Sequence, residues 1–283
     1  MAPHGSDENN GMSKDRPIAT LQRAQSVIAG LPPDNVTVFI APGRYDSQSV
    51  VWHYTMPNHT IRFLGSGDST VFDGGRKGLV FFRLRGAKGE PTNLYFEGLT
   101  ITRYVTALSL DGDRDDTGRF NGRNHILNNR FIDIGGTGYD PLGYSTAVVR
   151  LQNSDDNLLS GNVFSGMISV RCKHLHAIYL AHDASRNTIV DNTFENACGD
   201  PIRARDASDD NTIERNRFNN AGDRAAFSEW HCSGRECTKR NAECSPSGNV
   251  FRANTVGPGF SGAAIADTYN HRRPADTACG VRR

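Results

Sequence analysis

The chain has 283 residues, 37% of them hydrophobic, and 32 basic against 31 acidic side chains give it a net charge of +1. So even a balance excludes the general attraction for nucleic acid or for an anionic membrane surface that a basic protein has. No run approaches the roughly 20 consecutive apolar residues of a membrane-spanning helix, and the low apolar content points to thin cores with much solvated surface.

Residues 1–16 are polar, contain no apolar run and read as a disordered lead. From Ile18 the stretch IATLQRAQSVIAGL places apolar residues at helical spacing and stops at Gly30, with Pro32 and Pro33 behind it. NVTVFIAPGRY then reads as a strand, a Pro-Gly turn and a short strand. IRFLGSGDSTVFDG, from Ile61, reads as a coil with Gly-rich turns.

One eight-residue phrase then recurs. It reads NLYFEGLT from Asn93, NHILNNRF from Asn124, NLLSGNVF from Asn157, NTIVDNTF from Asn187, NTIERNRF from Asn211 and NVFRANTV from Asn249, at spacings of 31, 33, 30, 24 and 38 residues. A constant phrase with variable gaps is the mark of a solenoid whose loops grow on some edges. A β-sandwich with Asn-rich turns would not repeat a fixed flanking phrase. The alternating apolar residues point into a narrow core, and Asn sits where the chain bends because it tolerates left-handed angles. Stacked coil on coil, Asn162, Asn192, Asn216 and Asn254 are expected to form an internal amide ladder.

A second strand follows each phrase and opens on a small residue: ALSLDGD, AVVRLQN, AIYLAHD, PIRARDA, AAFSEWH and AAIADTY. Ile178, Leu180, Ile202 and Ala204 mark the core face, which turns Tyr179, Arg203, Arg205, Phe227, Glu229, Ile265 and Asp267 outward. Arg150 falls on the core face unless its strand slips by one residue, with Val149 and Leu151 turned in. A slip reverses every facing on that strand.

The even count of six cysteines in a loop-rich chain favours disulfides and an oxidising compartment. Cys172 with Cys198, and a pair within Cys232 to Cys244, are the expected bridges. The spacing inside the insertion at about 232–248 fits no common zinc pattern.

The helix, the IAPGRY step, the GSGDSTVFDG coil and the Asn phrases together resemble the pectate-lyase-like superfamily. The resemblance implies an all-β fold, a single right-handed parallel β-helix with an N-terminal helical cap, over residues 17–283 and outside the 1–16 lead. It also implies a carbohydrate-active protein, and the cysteines add the expectation of a secreted or periplasmic one whose signal peptide is not in this sequence.

Ionisable residues crowd RCKHLHAIYLAHD, GDPIRARD and FSEWHC. A lyase on a uronic-acid polymer must neutralise a carboxylate, remove the proton beside it and protonate the leaving oxygen. Arg grips a carboxylate through two bonds, and His or Tyr moves protons. The expected catalytic set is His176, Tyr179, Arg203, Arg205 and Glu229. Arg150, Lys173, His174, His182, Asp206 and His231 are expected to bind an anionic polysaccharide or oligosaccharide. No nucleic acid or membrane partner is expected, and a monomer is favoured.

Three other readings use the same scaffold. An epimerase needs a donor on the other sugar face, and the loop GYDPLGY has Leu142 where the Asp-Pro-His motif of mannuronan epimerases has its His. A glycoside hydrolase needs two carboxyls at a set separation, for which Asp206 with Glu229, or Glu229 with Asp267, could serve. A non-catalytic, tailspike-like binding module would show a long apolar outer face. No cofactor is expected, with calcium at Asp111, Asp113, Asp115 and Asp116 the one weighed option.

Overall fold

The computed structural model describes residues 1–136, 147–222, 225–232, 243–257 and 268–270. The strands fall into three long sheets of nine, eight and seven strands. The first contains Leu94–Glu97, His125–Leu127, Leu158–Ser160, Thr188–Val190, Thr212–Glu214 and Val250–Arg252. Thr100–Thr102, Arg130–Ile132, Val163–Ser165, Thr193–Glu195 and Arg217–Asn219 lie in the second. The third holds β1 (Val50–Trp52), β2 (Val80–Leu84), β3 (Thr106–Asp111), β4 (Ala147–Gln152), β5 (His176–Ala181), β6 (Ile202–Arg205) and β7 (Phe227–Trp230).

Each turn of chain visits the three sheets in that order, and within them every pairing is parallel except the last, Val250–Arg252 with Thr268–Asn270. This is a right-handed parallel β-helix. The helix α1 (Leu21–Ala29) covers one end. Thr20 caps it by accepting the Arg23 N–H, and its buried face is Leu21, Ala24, Gln25 and Ile28. The Gln25 amide reaches Val51 O and accepts from His53 N, which ties the cap to β1.

Residues 1–16 are not a loose lead. Met1 donates its ammonium to Phe39 O, Ala41 N donates to Met1 O, Ala2 N donates to Ile18 O, and Ala2 is buried. The polar composition misleads because this segment is held mainly by backbone bonds and by the Asp7 and Asn9 side chains, with Met1 and Ala2 as its apolar contacts.

The recurring phrase builds two ladders where one was expected. Asn129, Asn162, Asn192, Asn216 and Asn254 form one; Asn124, Asn157, Asn187, Asn211 and Asn249 form the other. At each step both the backbone N–H and the side-chain amide of one Asn donate to Oδ1 of the next, as in Asn192 to Asn216 at 2.9 and 3.0 Å. The left-handed residue is not the ladder Asn but the one before it: Asn128, Gly161, Asp191, Arg215 and Ala253 in one ladder, Arg123, Asp156, Arg186, Asp210 and Gly248 in the other. That corrects the placing of Asn93. His125 pairs with Tyr95, so Leu94 stands on the ladder row and Asn93, at φ 48°, occupies the bend.

Inside, Phe131, Phe164, Phe194 and Phe218 stack at 4.9, 5.0 and 4.7 Å between ring centres. Ile126, Leu159, Ile189 and Ile213 are fully buried in the first sheet. Cys172 and Cys198 form a disulfide just before β5 and β6, Cys232 and Cys244 are also disulfide-bonded, and no described cysteine is free. Among the described residues no helix is long and apolar enough to cross a membrane.

Candidate functional site

The register of the third sheet fixes which side chains share a face. Leu108, Val149, Ile178, Ile202 and Phe227 align as an inner row, followed by Leu110, Leu151, Leu180, Ala204 and Glu229. The slip foreseen for β4 is present: Val149 and Leu151 are buried and Arg150 faces out. The strand β7 differs from expectation by the same one-residue logic. Phe227 is fully buried, Ser228 and Trp230 take the outward places, and Glu229 turns in.

Two outward columns result. One runs Ser109, Arg150, Tyr179, Arg203, Ser228, and the other Asp111, Gln152, Ala181, Arg205, Trp230. Neighbours within a column are about 4.8 Å apart.

Each arginine of these columns is anchored on one edge by a buried carboxylate. Arg150 donates Nε to Asp111 Oδ1 at 2.9 Å and Nη2 to Asp111 Oδ2 at 2.5 Å and Ser109 Oγ at 2.9 Å. Burial opposes its charge, but the Asp111 carboxylate outweighs that and raises the guanidinium pKa. Arg203 donates Nη2 to Asp200 Oδ2 at 2.8 Å and Nε to Ser228 Oγ at 3.0 Å. Arg205 is held by Glu243 through Nε at 2.8 Å and Nη2 at 2.5 Å, and lies 4.4 Å from the Trp230 ring centre. Its third nitrogen, Nη1, donates to the Tyr179 hydroxyl at 3.1 Å. Burial opposes the charge here too, and Glu243 and Tyr179 raise the pKa in spite of it.

The three arginines therefore differ. Arg205 has all three nitrogens engaged. In Arg150 and Arg203 the Nη1 group makes no hydrogen bond among the described residues. These two flank Tyr179 in one column, each with a donor pair left for a ligand.

The remaining expected residues scatter. His176 opens β5 but is buried, donates Nδ1–H to the Asp200 carbonyl at 2.7 Å, and is pushed down to a pKa of about 4 by burial. It is neutral at pH 7, and its ring centre lies 5.4 Å from that of Tyr179. His182, also buried, donates to Asp206 Oδ2 at 2.8 Å, and Asp206 accepts the Cys244 N–H. Glu229 accepts the side-chain amide of Asn249, the last rung of its ladder, at 2.8 Å, so it closes the ladder instead of facing a ligand. Lys173 and His174 sit exposed on the turn Cys172–His174, outside the columns. His231 follows Trp230 and is half-buried. Ile265, Asp267, the loop GYDPLGY, Cys237 and Cys279 lie outside the described residues.

Sequence reasoning missed Glu243 and Trp230. Trp230 became visible only with the slip of β7. Glu243 stands beside Cys244 in the insertion; Cys232 N donates to its Oε2 at 2.9 Å and Arg114 to its Oε1 at 3.3 Å.

Among the described residues one group of three, His182, Asp206 and Glu243, brings potential metal-ligand atoms within 4.8 Å of one another. It fits a cation poorly. Glu243 already receives Nε and Nη2 of Arg205, His182 Nδ1 is engaged by Asp206, and the Arg205 charge would oppose a metal beside it. The aspartates of LDGDRDD do not converge into such a group: Asp111 binds Arg150, while Asp113 and Asp116 accept loop N–H groups.

With this geometry in view, the chain can be set beside known proteins. The profile of the family described as periplasmic copper-binding protein (NosD) matches residues 117–256. No curated protein sequence matches. Pectate lyase Pel9A shares the fold at 12% identity and a TM-score of 0.51, over 97% of this chain and 78% of the lyase. A protein of Geobacillus virus E2, ORF18, aligns at 14% identity and TM-score 0.42, over 90% of this chain and 46% of its own. The catalytic domain of a GH87 alpha-1,3-glucanase in complex with nigerose aligns at 11% identity and TM-score 0.36, over 80% and 53%. The chain thus spans about half the length of these last two.

Proposed function

We propose that this protein is an exported carbohydrate-active enzyme that cleaves a uronic-acid-containing polysaccharide by β-elimination on the outer face of its third sheet. The observation that carries the reading is the column Arg150, Tyr179, Arg203, with Arg205 Nη1 bonded to the Tyr179 hydroxyl. Arg150 and Arg203 bind the substrate carboxylate through their Nη1 groups, and their charge favours the enolate-like intermediate over the resting acid. Tyr179 acts as its phenolate, whose negative charge the Arg205 guanidinium stabilises, and its oxygen takes the proton beside that carboxylate. The bond to the glycosidic oxygen then breaks, a carbon–carbon double bond forms, and the same proton goes to the leaving oxygen.

This assigns the carboxylate grip to Arg150 and Arg203 and makes Arg205 a positioning residue for Tyr179. Trp230, 43% exposed beside Arg205, offers an indole face against which a sugar ring can stack. A pectate lyase uses the same fold, so the scaffold is compatible with the chemistry. The disulfides support an oxidising compartment such as the periplasm or the exterior. Among the described residues the three-residue donor group His182, Asp206 and Glu243 is already engaged by Arg205 and by its own members, so it gives the copper of the family description no support. The test is ultraviolet absorbance of the unsaturated uronate product across a panel of uronate polymers. Wild type should generate it and Tyr179→Phe should lose at least a hundredfold in kcat. New reducing ends without that absorbance would assign a hydrolase instead.

A further inference from the structure

A second polar feature lies on the same face, two rungs away from Tyr179. Arg85, Asp111, Gly112, Arg114, Arg119 and Gln152 line a cavity of about 240 Å³. Asp111 and Gln152 belong to the second outward column, and Arg85 follows β2 directly. The cavity is therefore continuous with the proposed site along the solenoid axis, about 10 Å from the Tyr179 rung at the strand spacing.

Its charges are unevenly satisfied. The two Asp111 oxygens are taken by Arg150, with Ser109 on one of them. Asp113 accepts the Asp115 N–H and lies 3.7 Å from Arg119. Arg114 reaches Glu243 at 3.3 Å through one nitrogen. Arg85 is exposed, and its guanidinium makes no hydrogen bond or ion pair among the described residues. Arg85, Arg114 and Arg119 thus all line one small polar hollow whose carboxylates are already engaged, an arrangement that fits an anionic group of the ligand.

We infer that this cavity is a subsite for a second carboxylate of the same polymer, so that the substrate carries repeated acid groups along one chain rather than a single acid on a neutral backbone. The inference rests on the reading of the outer face as a uronate site and narrows its substrate class. A chain laid along the columns would place one uronate between Arg150 and Arg203 and another over Arg85 and Arg119.

The test is calorimetric binding of tetrasaccharides of galacturonate, of mannuronate and of alternating glucuronate and hexosamine, with their methyl esters as neutral controls. Wild type is compared with Arg85→Gln/Arg119→Gln. Both positions are exposed, and an unchanged denaturation midpoint will show that the variant is folded. The expected result is tighter binding of at least one acid oligomer than of its ester, with about a tenfold loss in the variant for the acid and less than a twofold change for the ester. Equal binding of the acid by both proteins overturns the subsite and leaves the Tyr179 reading untouched. Equal binding of acid and ester by wild type, or binding of neither in any series, overturns it as well. If the expected pattern appears but wild type cleaves none of these polymers, the subsite stands and the elimination chemistry falls.

Discussion

Replacing Asn192 by Ala removes a middle rung of a ladder whose partners can be counted. Asn192 is buried; its Oδ1 accepts from the backbone N–H and side-chain amide of Asn162, both at 2.9 Å, and its own amide donates to Leu159 O, Val190 O and Asn216 Oδ1. The Asn162 amide keeps a second acceptor, Ile126 O. The Asn162 backbone N–H does not, and the Leu159 carbonyl loses the amide donor. An orphaned buried polar group costs roughly 1–3 kcal/mol, so the variant, with two of them, should lose about 2–6 kcal/mol. Asn254 gives the contrast. It has the same contacts to the preceding coil but is only half-buried, so water can replace what is lost and Asn254→Ala should cost about 1 kcal/mol or less. Urea unfolding followed by circular dichroism reads both, with the slope unchanged so that midpoints report stability. Equal midpoints for the two variants, or no shift for Asn192→Ala, would refute the argument that burial sets each rung's contribution.

Glu243→Gln should leave the fold intact but release Arg205 from its charged partner, lowering kcat on the cleaved polymer more than tenfold with little change in KM; an unchanged kcat would remove Glu243 from the positioning of Tyr179. Below its ordinary value, the folded-state pKa of His176, about 4, means that the unfolded chain binds the extra proton first. Stability from this group is therefore present above about pH 6.5 and is lost as pH falls towards 4, by about 3 kcal/mol in all. His176→Gln should flatten that limb of the stability profile, and an unaltered limb would assign it to other groups. Reducing the Cys172–Cys198 bridge opens a loop of 26 residues in sequence separation, worth about 3.5 kcal/mol by the chain-entropy relation. A Cys172→Ser/Cys198→Ser variant that unfolds at the wild-type midpoint would contradict this.

The fold was legible because a β-helix writes its period into the chain. In the five phrases from Asn124 onward the Asn residues at the first and sixth places form two separate ladder rows, of which only the sixth was read as a ladder. The ladder Asn itself was placed at the bend because Asn is so often left-handed, whereas the fold puts the residue before it there, such as Asn128, Gly161, Asp191, Arg215 or Ala253. The lead at 1–16 was illegible for a different reason, since backbone bonds to a neighbouring coil leave no compositional trace. For the site, alternation located Tyr179, Arg203 and Arg205, and the slip at β4 was visible as a conflict between Arg150 and its apolar neighbours. On β7 the sequence FSEW permits either facing, and burial of Phe227 against Phe251 decided it. Glu243 was out of reach because its contact with Arg205 crosses 38 residues and an insertion that no periodicity governs.

The central question is where an acidic sugar binds. A crystal structure of Tyr179→Phe soaked with the best-bound uronate tetrasaccharide answers that directly. The expected density is a sugar chain along the third sheet, with one carboxylate between Arg150 and Arg203, a ring against Trp230 and the proton to be removed facing position 179. A chain bound on either of the other two sheets, or with its carboxylates away from Arg150 and Arg203, would contradict it.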